Sequence, residues 1–400
     1  MEKVVLPNGL TVIFRPKAGK AVVVEVMVKV GSNQEQPGER GISHFLEHIV
    51  FEGTSKRPTN QEISNEIERI GGEFNAYTTN ERTCFYVKVL QKHFQKAVEI
   101  LADIIQHPLL RTVDIEKEKK VVLKEIDMVN DEPRFYQWLL LQRELFEKHP
   151  AKYPTYGDKK VIQALNREKI NTYFKKYYVP NNIVISVVGE VTGWKEKIQE
   201  YFTFGAGKKV GVAAIIEPPA HKIQEKVEHR KTANTYTVMG FKTIPLIHED
   251  APVLEVIQGI LGRGQSGRMF AEIRSKRGLG YDVGTQNIGE TTFGYFAIYA
   301  SIDKKQIAVV KKLILQELKK LQDISAMEVR EGQDFIEGNY YLELEDVQKT
   351  ADQILFWEQA GEAQLMEGYI KNIKKVTVDD VRRVARKYFK YYTFVVVEGK

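Results

Sequence analysis

The chain repeats one order of elements at an offset of about 210 residues, and this repeat restricts its fold more than any other feature. Residues 164–190 read ALNREKINTYFKKYYVPNNIVISVVGE, and residues 374–400 read KKVTVDDVRRVARKYFKYYTFVVVEGK. Each stretch predicts a basic helix ending near a Tyr-Tyr pair, followed by a β-branched strand. A second pair of segments, 70–78 and 277–285, places glycines before a strand in both halves. The sequence therefore predicts two copies of one domain.

Each copy alternates short strands with longer amphipathic helices. Apolar residues recur at helical spacing over 94–105 and 304–321, directly after predicted strands. Strands at 9–14 and 21–31 follow one another closely, which favours antiparallel pairing. We therefore expect an α+β fold with two homologous domains, each a mostly antiparallel sheet with helices packed on one face.

Glycine and proline mark the boundary between the copies. Gly205, Gly207 and the pair Pro218-Pro219 interrupt the periodic pattern. The predicted organisation is a first domain at 1–205, a linker at 206–222 and a second domain at 223–400.

Composition excludes several classes of protein. Lysine and arginine number 59 against 53 acidic residues, so the net charge of +6 over 400 residues is too mild to indicate nucleic acid. The single cysteine, Cys84, allows neither an intrachain disulfide nor a thiolate metal cluster. No run approaches the ~20 apolar residues of a membrane span, and no signal-peptide pattern precedes the first strand. We expect a cytoplasmic protein without membrane partners.

The segment 41–55, GISHFLEHIVFEGTS, carries the pattern H-x-x-E-H at His44, Glu47 and His48. On a helix, positions four apart share one face, so the two imidazoles can converge on a metal ion. Glu47 lies on the same side, where a carboxylate can take a proton from a water molecule beside the metal. This is the inverted form of the H-E-x-x-H arrangement of zinc peptidases.

A catalytic zinc site takes a third protein ligand. The stretch 116–127, EKEKKVVLKEID, predicts a helix with Glu118 and Glu125 seven residues apart, nearly two turns, so both face the same way. Glu125 could bind the metal, and Glu118 could orient a neighbouring ligand or hold a proton. Taken alone, the stretch is equally typical of a solvated, charged helix.

These residues, with Glu125 at its spacing from His48, resemble the pitrilysin family of zinc metallopeptidases, which includes insulin-degrading enzyme and the mitochondrial processing peptidases. The resemblance spans 1–400 and implies one zinc ion per chain, bound by His44, His48 and Glu125. It also implies that Glu47 is the general base and that Glu118 is a further catalytic carboxylate near the metal.

The resemblance assigns substrate contacts as well. The segment GGEFNAYT at 71–78 is similar to the family's edge strand, where Asn75 and Ala76 would meet the substrate backbone. Arg274 and Tyr281 correspond to a pair that the family places against bound substrate. Tyr281 would donate to the scissile carbonyl oxygen, and Arg274 would hold a nearby carbonyl.

The implied activity is endopeptidase cleavage of unfolded peptides inside a chamber of four domains. Because this chain supplies two, the resemblance implies a homodimer, and a heterodimer with a paralogue stays open. A non-catalytic or half-site subunit of a heteromeric processing peptidase is the alternative function. A nucleic-acid binder, with the basic stretch 371–390 as its surface, is a third reading. Cobalt or manganese in place of zinc, and the cleavage preference, also stay open.

Overall fold

The computed structural model describes residues 1–205, 207–208, 210–211 and 215–399. Of the predicted linker at 206–222, positions 206, 209 and 212–214 lie outside the described residues.

The described part of the chain alternates strands and helices in the order that the repeat predicts. Its strands are β1 Glu2–Val5, β2 Thr11–Arg15, β3 Ala21–Val28, β4 Glu73–Thr78, β5 Thr83–Leu90, β6 Ile183–Val188, β7 Gln224–Arg230, β8 Thr235–Lys242, β9 Gly280–Gly289, β10 Gly294–Ile302 and β11 Thr393–Gly399. Its helices are α1 Ile42–Ile49, α2 Asn60–Glu68, α3 Phe94–Gln106, α4 Thr112–Asp131, α5 Pro133–Leu145, α6 Lys159–Ala164, α7 Arg167–Tyr177, α8 Trp194–Tyr201, α9 Ala251–Gly262, α10 Arg268–Phe270, α11 Ile307–Lys319, α12 Ala326–Glu343, α13 Val347–Ala360, α14 Leu365–Lys374 and α15 Val378–Tyr388. Within these residues, no helix combines the length and the apolar character needed to cross a membrane.

The two sheets share one topology. The first has the order β1-β2-β6-β3-β5-β4, and the second has the order β7-β11-β8-β10-β9. If β1 is left out, the two orders match strand for strand: β2, β6, β3, β5 and β4 of the first sheet correspond to β7, β11, β8, β10 and β9 of the second. Each sheet has one parallel pair, β2 with β6 in the first and β7 with β11 in the second, and the other pairs are antiparallel. The predicted α+β class with mostly antiparallel sheets is confirmed.

One predicted pairing is wrong. The strands predicted at 9–14 and 21–31 form β2 and β3, but β6 lies between them and pairs with both. The chain reaches β6 only after α7, more than 150 residues later, so no local signal in the first strands could reveal the inserted neighbour.

Helices cover both faces of each sheet, whereas the sequence predicted one face. In the second sheet, Met239 and Phe394 face one apolar core, while their neighbours Val238 and Val395 face another core that includes residues of α5. This alternation follows from the two-residue period of a strand. In the first sheet, α3 packs on β3 and β5, and α13 packs on β3 and β6. Seven of the eight residues of β3 are buried as a result.

The second helical layers come from the opposite halves of the sequence. The chain divides into two compact units, one of Met1–Asp127, Pro154–Ala213 and Glu343–Met366, the other of Met128–Tyr153, Ala214–Leu342 and Glu367–Lys400. A division of the chain at 205 and 223 would put α5 in the domain of the first sheet and α13 in the domain of the second. In the structure, α13 belongs to the unit of the first sheet and α5 to the unit of the second.

Candidate metal centre

The helix α1 turns its apolar residues inward and its metal-binding pattern outward. Its buried residues include Ile42, Phe45 and Ile49, which recur at the three- and four-residue spacing of one helical face. His44 and His48 therefore lie on the opposite face, with 18% and 19% of their side chains exposed. Folding of the helix alone thus presents both imidazoles on the same side.

A buried carboxylate holds the beginning of α1 in place. The Glu35 side chain accepts the backbone N–H groups of Gly41 and Ser43, at 2.8 and 2.9 Å. Gly41 has a φ of 95°, and a Cβ there would come within 2.5 Å of the Tyr156 carbonyl oxygen. The N-cap residue of α1 is Gly41, which has no side chain to accept these N–H groups, so Glu35 accepts them instead.

The helix α4 supplies the third ligand of the predicted set. Glu125 Oε2 lies 3.8 Å from His44 Nε2 and 3.5 Å from His48 Nε2. One ligand atom from each of the three residues lies within 4.8 Å of the others, and no second such group of His, Cys, Asp or Glu occurs among the described residues. The predicted ligands are therefore brought together from positions 77 residues apart in the chain.

Glu118 occupies the position that a partner of a metal-binding histidine should have. Its Oε2 lies 3.3 Å from His48 Nδ1, and Glu118 is only 6% exposed. A His48 that donates from Nδ1 to this carboxylate presents the lone pair of Nε2 toward Glu125. The site thus offers two imidazole nitrogens and one carboxylate, and Glu118 orients one of the imidazoles, that of His48. These groups fit the donor set of a catalytic zinc ion.

The protonation of the two histidines differs. Burial and the neighbouring His48 lower the pKa of His44 to about 4, so His44 is neutral near pH 7. Burial also lowers the pKa of His48, but the hydrogen bond to Glu118 and the Glu125 charge outweigh it and raise the pKa. His44 is therefore already in the form that a metal requires, whereas binding at His48 competes with a proton.

Glu47 lies beside the ligands and has one partner on the neighbouring sheet. The Thr78 hydroxyl donates to Glu47 Oε2 at 2.6 Å. Burial raises the pKa of Glu47, and the hydrogen bond from Thr78 offsets part of that rise. A partly buried carboxylate with a raised pKa can both accept and return a proton.

The strand β4 forms the edge of the first sheet and packs against α1. Asn75 and Ala76 lie in its middle, as the sequence predicts. The Ala76 N–H donates to the Asn75 side-chain oxygen at 2.8 Å, so this N–H is not engaged with β5. If an extended peptide paired with this edge, one of its carbonyl oxygens would replace the Asn75 oxygen as the acceptor of the Ala76 N–H.

Arg274 and Tyr281 also lie together, in the other unit. Arg274 is on the helical turn Ala271–Ser275 and donates to the Tyr281 backbone oxygen at 2.6 Å. Its guanidinium carbon lies 4.4 Å from the centre of the Tyr281 ring, and Tyr281 is 74% exposed. The pair is therefore formed within this unit, and the phenol is accessible.

Two residues beside the motif were not assigned from the sequence. Thr78 is the last residue of the segment GGEFNAYT at 71–78, and strand alternation puts it on the same face as Ala76. This shared face is the signal that could have identified Thr78. Glu35 precedes α1 by several residues in a loop, and no local pattern marks it.

Comparison with known proteins identifies the family. Residues 11–159 match the family described as Insulinase (Peptidase family M16), and residues 164–334 match the family described as Peptidase M16 inactive domain. The uncharacterized zinc protease YmxG of Bacillus subtilis (strain 168) is 30% identical, covering 97% of this chain and 93% of that protein. An uncharacterized zinc protease of Rickettsia felis is 31% identical, covering 98% of this chain and 96% of that protein.

A solved structure agrees at the level of the fold. The crystal structure of a protease from Helicobacter pylori superposes with a TM-score of 0.95 at 24% identity, over 99% of both chains. With relatives of 30% identity matched over almost its whole length, the chain belongs to peptidase family M16, the pitrilysin family.

Proposed function

We propose that this protein is a zinc-dependent endopeptidase that cleaves unfolded peptides. The observation that carries the proposal is the convergence of His44, His48 and Glu125, whose ligand atoms lie within 4.8 Å of one another. Glu47 stands on the same helix as the two histidines, and relatives named as zinc proteases support the same chemistry.

Each residue has a defined task in this reaction. Zinc, when bound, supplies a Lewis acid that polarises a carbonyl group and lowers the pKa of water. Glu47 takes a proton from the attacking water and delivers it to the departing amine as the C–N bond breaks. Tyr281 donates a hydrogen bond to the carbonyl oxygen as negative charge develops there, and Arg274 holds a neighbouring carbonyl group. Asn75 and Ala76 bind the peptide backbone at the sheet edge.

We further propose that two chains form the working chamber. The pattern H-x-x-E-H occurs once per chain: α9, which follows β8 as α1 follows β3, contains no histidine. Each chain would thus provide one zinc site and one Arg274–Tyr281 pair. Light scattering on the active protein measures the assembly directly, and the mass of a single 46.0 kDa chain would contradict the dimer.

The experiment is cleavage of a quenched, unstructured peptide of about 10–20 residues, compared with Glu47→Gln. We expect Glu47→Gln to retain one zinc per chain and to lose at least about 100-fold in kcat, because it can no longer accept a proton. A zinc-loaded Glu47→Gln protein with the wild-type rate would remove Glu47 as the base.

A second candidate is the half-site subunit of a heteromeric peptidase. The match of residues 164–334 to a family described as an inactive domain favours it. Zinc-loaded wild-type protein that cleaves nothing alone, but becomes active when mixed with a paralogue, would establish this alternative.

A further inference from the structure

The two faces of β4 have different partners. Phe74 faces α1, since its ring centre lies 5.6 Å from that of Phe51, just beyond the helix. Alternation along the strand puts Ala76 and Thr78 on this same side. Tyr77 points the other way and donates to the Asp352 carboxylate of α13. Thr78 is therefore on the strand face that packs against α1, the helix carrying Glu47.

Of the two acceptors near the Thr78 hydroxyl, Glu47 is much the closer. Glu47 Oε2 is 2.6 Å away, whereas the hydroxyl oxygen of Thr83, opposite it on β5, is 3.5 Å away. Thr83 donates its own proton to the Val30 carbonyl oxygen at 2.9 Å, so it cannot also donate to Thr78. The Thr78 proton is thus committed to Glu47, at the short distance of a charge-assisted hydrogen bond.

This contact restricts how the Glu47 carboxylate can act. With Oε2 engaged by Thr78, rotation of the carboxylate is restricted, and Oε1 keeps both of its lone pairs for proton transfer. Thr78 also lies two residues after Ala76, so the edge strand that would pair with a peptide is the strand that holds the base. Substrate position and base orientation are in this way set by one backbone segment.

We propose that Thr78 is a positioning residue for Glu47, which aligns the base with a peptide docked on β4. The proposal rests on the proposed peptidase function. Removing the hydroxyl should leave substrate binding intact and slow the chemical step, because the base is misaligned while the edge strand and the ligands are unchanged.

The test compares three variants of the full-length, zinc-loaded protein. Thr78→Val removes the hydroxyl at constant shape, Thr78→Ser retains it, and Tyr77→Phe removes a hydroxyl from the opposite face of the same strand. We expect Thr78→Val to lose about 10- to 100-fold in kcat with KM and zinc content unchanged. Thr78→Ser should recover to within about threefold of wild type. Tyr77→Phe should keep kcat and lose only thermal stability.

A second readout does not require turnover. In protein labelled with ¹³C at the glutamate carboxyl carbon, the resonance that disappears in Glu47→Gln belongs to Glu47. Thr78→Val should move this resonance, and Thr78→Ser and Tyr77→Phe should leave it in place, because only the first removes the donor.

The outcomes separate this proposal from the proposed function. Wild-type kcat in Thr78→Val overturns the positioning role. Loss of zinc or of folding in Thr78→Val, with no rescue by Thr78→Ser, overturns it as well, because the role is then structural. If zinc-loaded wild-type protein cleaves nothing, the peptidase proposal fails and the resonance decides. A shift confined to Thr78→Val supports Thr78 as the residue that orients Glu47, and an unmoved resonance overturns it.

Discussion

At the scale of single residues, the candidate metal centre includes a buried carboxylate behind one of its two histidines. Glu118 lies behind His48, with Oε2 at 3.3 Å from Nδ1, and it is almost fully buried. Such a partner orients the imidazole and raises its basicity. Glu118 is thus placed to act through His48, consistent with one of the two roles inferred from the helix spacing.

Replacing Glu118 should therefore weaken zinc binding. We expect Glu118→Gln to lower the zinc affinity about 10- to 100-fold, because a neutral amide stabilises the donating tautomer of His48 less well. Competition with a chromophoric chelator measures the dissociation constant.

Glu116 provides the matched control for this substitution. It is on the same helix, two residues away, and its exposed side chain pairs with Lys119. Glu116→Gln should bind zinc as wild type does. Equal affinities for the Glu116 and Glu118 variants would show that the buried contact has no part in metal binding.

At the scale of elements, one buried carboxylate joins two helices of the second unit. Asp250 precedes α9 and is completely buried. It accepts hydrogen bonds from Arg383, Lys387 and Tyr388 of α15, at 2.6, 2.8 and 2.8 Å. Burial alone would raise the pKa of Asp250, but these hydrogen bonds outweigh burial and lower the pKa to about 2.

The lowered pKa predicts an acid-sensitive link between α9 and α15. Because the pKa of Asp250 is below its unfolded value of 3.8, its contribution is present above pH 4 and is lost as the pH falls through about 2. The difference corresponds to about 2 kcal/mol of the free energy of unfolding.

Thermal unfolding of wild type and Asp250→Asn over a pH series measures this contribution. The difference between their midpoints should be largest near neutral pH and should shrink progressively below pH 4. A constant difference across that range would mean that Asp250 stabilises the helices without its charge.

At the scale of the whole molecule, neither half of the sequence contains all of its own unit. The helix α13 covers β3 and β6 of the first sheet, and its residues Ile354 and Leu355 are fully buried. Burying two such side chains contributes about 3–6 kcal/mol. This is a large part of the roughly 5–15 kcal/mol that stabilises a whole domain.

A fragment of residues 1–205 should therefore fail to fold cooperatively. A matched fragment that joins 1–127, 154–205 and 343–366 through flexible linkers restores α13 and omits α5, which packs on the second sheet. We expect a sharp unfolding transition only from the second fragment, measured by circular dichroism. Cooperative unfolding of 1–205 alone would show that α13 is dispensable.

The convergence of the two histidines was predictable from local spacing, whereas the choice of Glu125 as the third ligand followed from the family resemblance. His44 and His48 are one turn apart, and Glu118 and Glu125 are nearly two turns apart, so helical periodicity alone puts each pair on one face. Thr78 and Glu35 were missed for the converse reason. Their partners, Glu47 and the backbone N–H groups of Gly41 and Ser43, are reached through folding and not through sequence spacing.

The sequence by itself determined the repeat, the α+β class and the H-x-x-E-H pattern of the candidate metal centre, because these depend on periods of two and 3.6 residues and on the chemistry of His and Glu. Tertiary structure alone decided that β6 separates β2 from β3 and that α5 and α13 each cover the sheet of the other half. It also decided that Thr78 holds Glu47. These contacts join residues that lie far apart along the chain, and their free energy comes from burial and hydrogen bonding between elements, which no local period records.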